Sequence, residues 1–276
     1  MEIKPDEISS ILRQRIEGLE TGSADLAEVG TVLSVADGIA RVHGLDNCMS
    51  LEMLELPHDV TGLAAAGKTT FIASFASFLP GRCFDQLRTS VAQPRGGLPV
   101  KCVASHGGVT VGEDGMSAQA IEDLALATSL LPFDVVVPAD FEEAKQAIVA
   151  VGRTTTPAYV RTGRPKVPAL YDSDHRFVLG RAHQLRPGSD VTIIACGILV
   201  PAAIGAAGLL ANEGLQARVL NMATIKPIDR EAVLTAARET GAIVTAEEHP
   251  THGGLGPAVA RLLAEELPTP ISLAGA

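Results

Sequence analysis

The spacing of apolar residues changes once along this chain, near Gly62. Before that point Ile8, Ile11, Leu12, Ile16 and Leu19 recur at helical spacing, which predicts an amphipathic helix over residues 5–20 with Pro5, Asp6 and Glu7 in its first turn. A small polar linker, Thr21–Asp25, follows. Val29–Val35 and Ile39–Val42 flank Asp37-Gly38, a dipeptide suited to a tight turn, so residues 28–45 read as a hairpin. Met49, Leu51 and Met53 alternate with Ser50 and Glu52 and predict a third strand, the start of a partial β-barrel.

From Leu63 onward short apolar runs alternate with amphipathic ones. Strands are expected at 70–75, 100–104, 135–137 and 158–161, with helices at 79–91, 117–131 and 141–151, the last capped by Asp140. A Pro- and Arg-rich linker spans 161–174. Strands are then expected at 191–196, 218–222 and 243–246, and helices at 201–212, from the cap Asp229 to Thr240, and at 257–267. This alternation predicts right-handed βαβ units and an α/β fold with parallel sheets.

Composition narrows the function. The chain has 276 residues, 46% hydrophobic, with no tryptophan and 3% aromatics; a core of Ala, Val, Leu and Ile suits parallel strands. A formal charge of −10 argues against nucleic acid as a partner, because phosphate backbones need basic patches. Cys48, Cys83, Cys102 and Cys196 form no C-x-x-C pair, so neither zinc nor a dithiol redox site is expected. No apolar run is long enough to span a bilayer, and the acidic N-terminus does not read as a signal peptide, so a cytoplasmic protein is expected.

The candidate chemistry lies in Ser105–Asp123, SHGGVTVGEDGMSAQAIED, which follows an apolar strand; open α/β sheets bind ligands at such strand ends. Together with GLAAAGK at 62–68, RCFDQLR at 82–88, RTGRPKVP at 161–168, TIKPID at 224–229 and EEH at 247–249, this stretch resembles the C-terminal half of transketolase, most closely split transketolases in which that half is a separate subunit. Residues 1–61, with EISSILRQRIEGLE, resemble instead the N-terminus of the ATP synthase alpha subunit.

The resemblance implies a truncated pyrimidine-binding domain at 62–168 and a three-layer α/β C-terminal domain at 175–276. It implies thiamine diphosphate shared with an N-terminal partner subunit that carries magnesium, a homo- or hetero-oligomer, a sugar phosphate substrate, and transfer of a two-carbon ketol unit. By alignment, Phe78 stacks on the cofactor's pyrimidine ring, His106 lies near the cofactor, Asp114 binds a substrate hydroxyl and Arg161 grips the substrate phosphate. Two positions depart from the family. Met53 stands where the family has the glutamate that activates thiamine, with Glu52 and Glu55 as unaligned neighbours, and Ala118 stands where a histidine is common. Impaired activity is therefore expected. The alternatives are a non-catalytic dimerisation or docking module, or an ATP synthase alpha-subunit fragment.

Other patterns have plainer readings. GLAAAGKT at 62–69 fits the P-loop spacing, but a strand-like segment follows it where a P-loop needs a helix, so it reads as a helix end with a glycine cap. Glu113 and the Glu247-Glu248-His249 run read as structural. His249-x-x-His252 is broken by Pro250 and is not expected to bind metal. Arg82, Arg88, Arg95, Arg161, Arg164 and Lys166 form either solvated surface or an anion-attracting mouth. Loss of the first strand and helix of the pyrimidine domain predicts exposed apolar surface and an unpaired sheet edge.

Overall fold

A computed structural model describes residues 31–36, 39–43, 64 and 67–276. The expected helix over 5–20, the strand at Met49–Met53, and residues Glu52, Met53 and Glu55 lie outside the described residues. The chain divides into two units, Met1–Leu54 and Glu55–Ala276. In the first, β1 (Thr31–Ala36) and β2 (Ile39–His43) pair antiparallel with Ala36 opposite Ile39, the strand pairing that the hairpin reading expects.

The second unit holds two five-stranded sheets. The first contains β3 (Thr70–Phe75), β4 (Val100–Ser105), β5 (Asp134–Val136) and β6 (Ala158–Arg161), all parallel, in the order β5-β6-β4-β3. The second contains β7 (His183–Arg186), β8 (Val191–Ala195), β9 (Ala217–Asn221), β11 (Ile243–Ala246) and β12 (Ile271–Ala274), in the order β12-β11-β8-β9-β7. β10 (Thr224–Lys226) leaves the second domain and pairs antiparallel with β5 at the edge of the first sheet. β7 is antiparallel to β9. Neither sheet is therefore purely parallel.

Helices are α1 (Phe84–Gln86, continued as a π turn over Leu87–Ala92), α2 (Asp123–Ser129), α3 (Phe141–Gly152), α4 (Leu199–Asn212), α5 (Arg230–Thr240) and α6 (Leu255–Glu266). Period-two alternation along β8 makes the second domain three layers: Ile193 and Ala195 pack under α4 with Val200, Ala203 and Ala207, while Ile194 faces Val233 of α5 and Val259 of α6. Two caps lie where the sequence puts them. Asp140 accepts from the Glu143 amide at 2.9 Å and Asp229 from the Ala232 amide at 3.1 Å.

Two helices are shorter than expected. Helix 79–91 begins only at Phe84, because Pro80 supplies no amide donor and the chain turns at Phe78–Gly81. Helix 117–131 begins only at Asp123, because the Ala120 carbonyl is taken by the Gly108 amide at 2.6 Å and by Arg161 at 3.0 Å, which commits the preceding residues to a bridge.

β3 has one neighbour, β4, among the described residues, and its Phe71 and Phe75 are 47% and 38% exposed. Apolar side chains exposed on a strand with one described neighbour mark this edge of the sheet as a surface open to association. The Gly67 amide bonds the carbonyl of helical Ala64 at 3.0 Å, and strand β3 follows, as the glycine-cap reading of this stretch expects.

A buried polar cluster joins α3 to the second sheet. Glu143 accepts from the Ala139 amide at 2.7 Å and from Asn221 Nδ2 at 2.9 Å, and Asn221 also donates to Tyr171 at 2.8 Å. Burial pushes the Glu143 carboxyl up to about 7. The folded state then binds a proton that the unfolded chain has already lost above its ordinary pKa near 4.5, so this group's contribution to stability falls as pH rises from about 4.5 to about 7. Glu143→Gln is expected to reduce that slope. Urea midpoints of both proteins at pH 5 and pH 7 would show a drop between the two pH values in the unchanged protein that is smaller in Glu143→Gln if Glu143 is the titrating group.

Candidate active site

β4 ends at Ser105, and the next residue, His106, has φ +62°. It is the one non-glycine with positive φ among the described residues, a conformation that costs about 1–2 kcal/mol. The surroundings impose it. The His106 ring stacks on Phe75 with centroids 3.9 Å apart, and its Nδ1 lies 3.0 Å from Ser105 Oγ. The Gly107 amide bonds Thr162 O at 3.0 Å and the Gly108 amide bonds Ala120 O, so the chain cannot relax into an extended exit. An observed outlier at the carboxyl end of a central strand points to function.

The loop returns through a 3-10 turn, Gly112–Asp114, which brings Asp114 Oδ2 to 3.8 Å from His106 Nε2. Arg164 supports the turn: its Nη2 is 2.8 Å from Glu113 Oε1, its Nε is 3.4 Å from Asp114 Oδ2, and its Nη1 donates to Val111 O at 2.9 Å. The hydrogen bond from Arg164 holds the Glu113 carboxyl down at about 2. Glu113 thus has the structural pairing expected of it.

On the other side, Phe78 is half-buried, its ring centroid 5.8 Å from that of Phe75, with the Arg82 guanidinium 4.1 Å from the Phe78 centroid. Phe78, Phe75, His106 and Asp114 therefore form one row across the carboxyl ends of β3 and β4. The row offers aromatic faces for a flat ring, an imidazole able to exchange a proton, and a carboxylate able to accept a hydroxyl hydrogen bond.

Arg161 does not join this row. It is 4% exposed and lies between the two domains. Its Nη2 donates to Ala120 O at 3.0 Å and Glu248 O at 2.9 Å, while Nε sits 2.9 Å from Asp123 Oδ2 in an ionic contact poorly aligned for a hydrogen bond. The Arg161 guanidinium, for which a substrate phosphate is expected, is here engaged by protein groups below the loop. The accessible arginine beside His106 and Asp114 is Arg164.

Phe75 of the row and Arg164 beside it do not stand out in the sequence. Phe75 read as an ordinary strand residue; its signal is its register opposite Ser105, one residue before His106. Arg164 is one of several arginines in a diffuse basic stretch of the sequence, with no local signal to separate it from them. Ala118 is buried and carries no polar group to the site. Among the described residues no cluster of His, Cys, Asp and Glu is arranged to hold a metal ion.

Comparison with known proteins gives this geometry a family. The pyrimidine-binding domain of transketolase matches residues 60–169, and the C-terminal domain of transketolase matches residues 180–276. An apulose-4-phosphate transketolase subunit from Phocaeicola vulgatus is 39% identical over 78% of this chain and 68% of its own length. The chain belongs to the transketolase family. A putative transketolase C-terminal section from Methanocaldococcus jannaschii is 40% identical over 74% of this chain and 63% of its own length, so the chain spans about two thirds of such relatives. Human transketolase is 36% identical, and only 33% of its length is covered. A solved split gene transketolase, described as an inactive beta4 tetramer, shares 45% identity and superposes with a TM-score of 0.73 over 78% of this chain and 69% of that chain. These matches lend no support to the resemblance of residues 1–61 to ATP synthase alpha, and the fragment reading is not carried further. No described helix is long and apolar enough to cross a membrane.

Proposed function

We propose that this chain is the C-terminal subunit of a split transketolase, sharing thiamine diphosphate with an N-terminal partner subunit and moving a two-carbon ketol unit between sugar phosphates. The observation that carries the reading is the strained His106, stacked on Phe75 and 3.8 Å from Asp114. The residues present fit part of the cofactor: Phe75 and Phe78 offer apolar faces to its pyrimidine ring, while magnesium and the diphosphate belong to the partner. When bound, thiamine diphosphate supplies the electron sink for the ketol unit. His106 Nε2 then holds or passes a proton near the reacting carbonyl, and Asp114 orients a sugar hydroxyl. Arg164 draws the anionic end of the substrate. Relatives named for apulose-4-phosphate and for 6-deoxy-6-sulfo-D-fructose are consistent with a polyhydroxylated ketose bearing a terminal anion.

The test is reconstitution with the N-terminal subunit of a split transketolase, thiamine diphosphate and magnesium. Ketol transfer that requires both chains and is lost in His106→Ala supports the reading; no cofactor binding by the mixture counts against it. In the same mixture Phe78→Ala is expected to weaken thiamine diphosphate about 2- to 10-fold, the value of one stacking contact, read by equilibrium titration. A second reading, a non-catalytic docking module, is favoured by Met53 and Ala118 at positions where the family has acid–base groups. Cofactor binding without any turnover would select it. In either reading the exposed Phe71 and Phe75 on β3 favour obligate association.

A further inference from the structure

The loop carrying His106 and Asp114 is held from the second domain. Glu248, just beyond the end of β11, is 6% exposed, and its Oε1 accepts from the Thr110 amide at 2.5 Å, midway between His106 and Asp114. The same carboxyl fills the space above Gly108: a Cβ built there would lie 2.0 Å from Glu248 Oε2. A Cβ on Gly107 would lie 2.2 Å from Arg161 Nε, and Arg161 in turn donates to Glu248 O. The paired glycines of the loop are thus the surface on which these two side chains press. Val109, Gly112 and Glu113 are exposed, while Val111 is buried and Arg164 braces the C-terminal side of the tip, so Glu248 is the support that reaches its N-terminal side at Thr110.

The flanking residues anchor the same segment. Glu247 accepts from the Leu255 and Gly256 amides at 2.7 Å, fixing the start of α6. His249 Nε2 accepts from the Ala125 amide at 3.3 Å, and its Nδ1 lies 2.8 Å from Pro250 O, so the second domain also holds the first turn of α2. Glu248 alone of the three reaches the loop.

The geometry points to Glu248 as a positioning residue of the second domain that sets the separation of His106 from Asp114 by fixing the Thr110 amide. This rests on the proposed site, because a fixed separation matters only if those two side chains act together. It extends that reading by giving the C-terminal domain a part in the site to which it contributes no row residue.

Hydrogen–deuterium exchange over residues 109–114 of the full chain tests it, with Glu248→Asp and Glu248→Gln against the unchanged protein. Asp is one methylene too short to reach Thr110, whereas Gln keeps an acceptor at Oε1. Exchange is expected to speed up at least 10-fold in Glu248→Asp and to stay within 2-fold in Glu248→Gln, with β11 and α6 unchanged in both. Equal exchange in all three proteins would overturn the proposal. So would acceleration spread through β11 and α6, or outright unfolding of Glu248→Asp, since each makes Glu248 a general prop of the fold. The readout needs no turnover, so an inactive reconstituted mixture would sink the transketolase reading and leave this result standing.

Discussion

Reconstituted with an N-terminal subunit, thiamine diphosphate and magnesium, this chain is expected to turn over sugar phosphates about 10²–10⁴-fold more slowly than an intact C-terminal subunit, the usual cost of a lost acid–base group. The expectation follows from the proposed reading in which Met53 takes the position of the activating glutamate, since a thioether does not pass a proton. Ala118 removes a second proton carrier, so a rate at the low end of this range is the natural outcome. The apparatus that remains, His106 with Asp114 and the two phenylalanines, can still bind and orient. The defect should therefore appear in kcat with cofactor affinity largely kept. Met53→Glu is the gain-of-function counterpart, expected to recover part of the loss. Turnover equal to that of an intact subunit would show that a carboxylate elsewhere, Glu52 or Glu55 by sequence, has taken over.

Asp123→Ala is expected to destabilise the second unit by about 3–5 kcal/mol, read as a lowered urea midpoint, because it strands a buried guanidinium. Asp123 and Arg161 are 2% and 4% exposed, and Tyr159 Oη also donates to Asp123 Oδ2 at 2.7 Å. Removing the carboxylate leaves both the cation and the phenol without their partner. Arg161→Leu combined with Asp123→Ala should recover much of the loss, since an apolar pair avoids the burial of charge altogether. If Asp123→Ala instead lost less than about 1 kcal/mol, the pair would be behaving like a solvated one, with Arg161 free to turn toward a phosphate.

Most of the fold was legible because its signals are local. The Asp140 and Asp229 caps, and strands 158–161 and 243–246 with exact bounds, follow from capping chemistry and apolar runs. The strands not anticipated, β7, β10 and β12, are all at sheet edges, where half-polar HQLR, three-residue TIK and short ISLA carry no distinct period. His106, Asp114 and Phe78 were legible through motif resemblance and do come together. The burial of Arg161 was not legible, because an arginine at a strand end reads the same whether it points to solvent or to a carboxylate 38 residues upstream. Phe75 and Arg164 become neighbours of the site only through strand register and the fold of the linker, neither of which is local.

The crossing of Thr224–Lys226 onto β5 means that a border drawn by homology and a border drawn by hydrogen bonding fall in different places. A gene product stopped between the two family matches would leave the Val137 amide without the Ala223 carbonyl it donates to at 2.7 Å. The Thr128 and Leu130 carbonyls, which Lys226 Nζ reaches at 2.8 and 2.7 Å, would also lose that donor. The two modules are thus stitched by a borrowed strand, and evolution could not have shuffled the first one elsewhere without finding it a replacement seam.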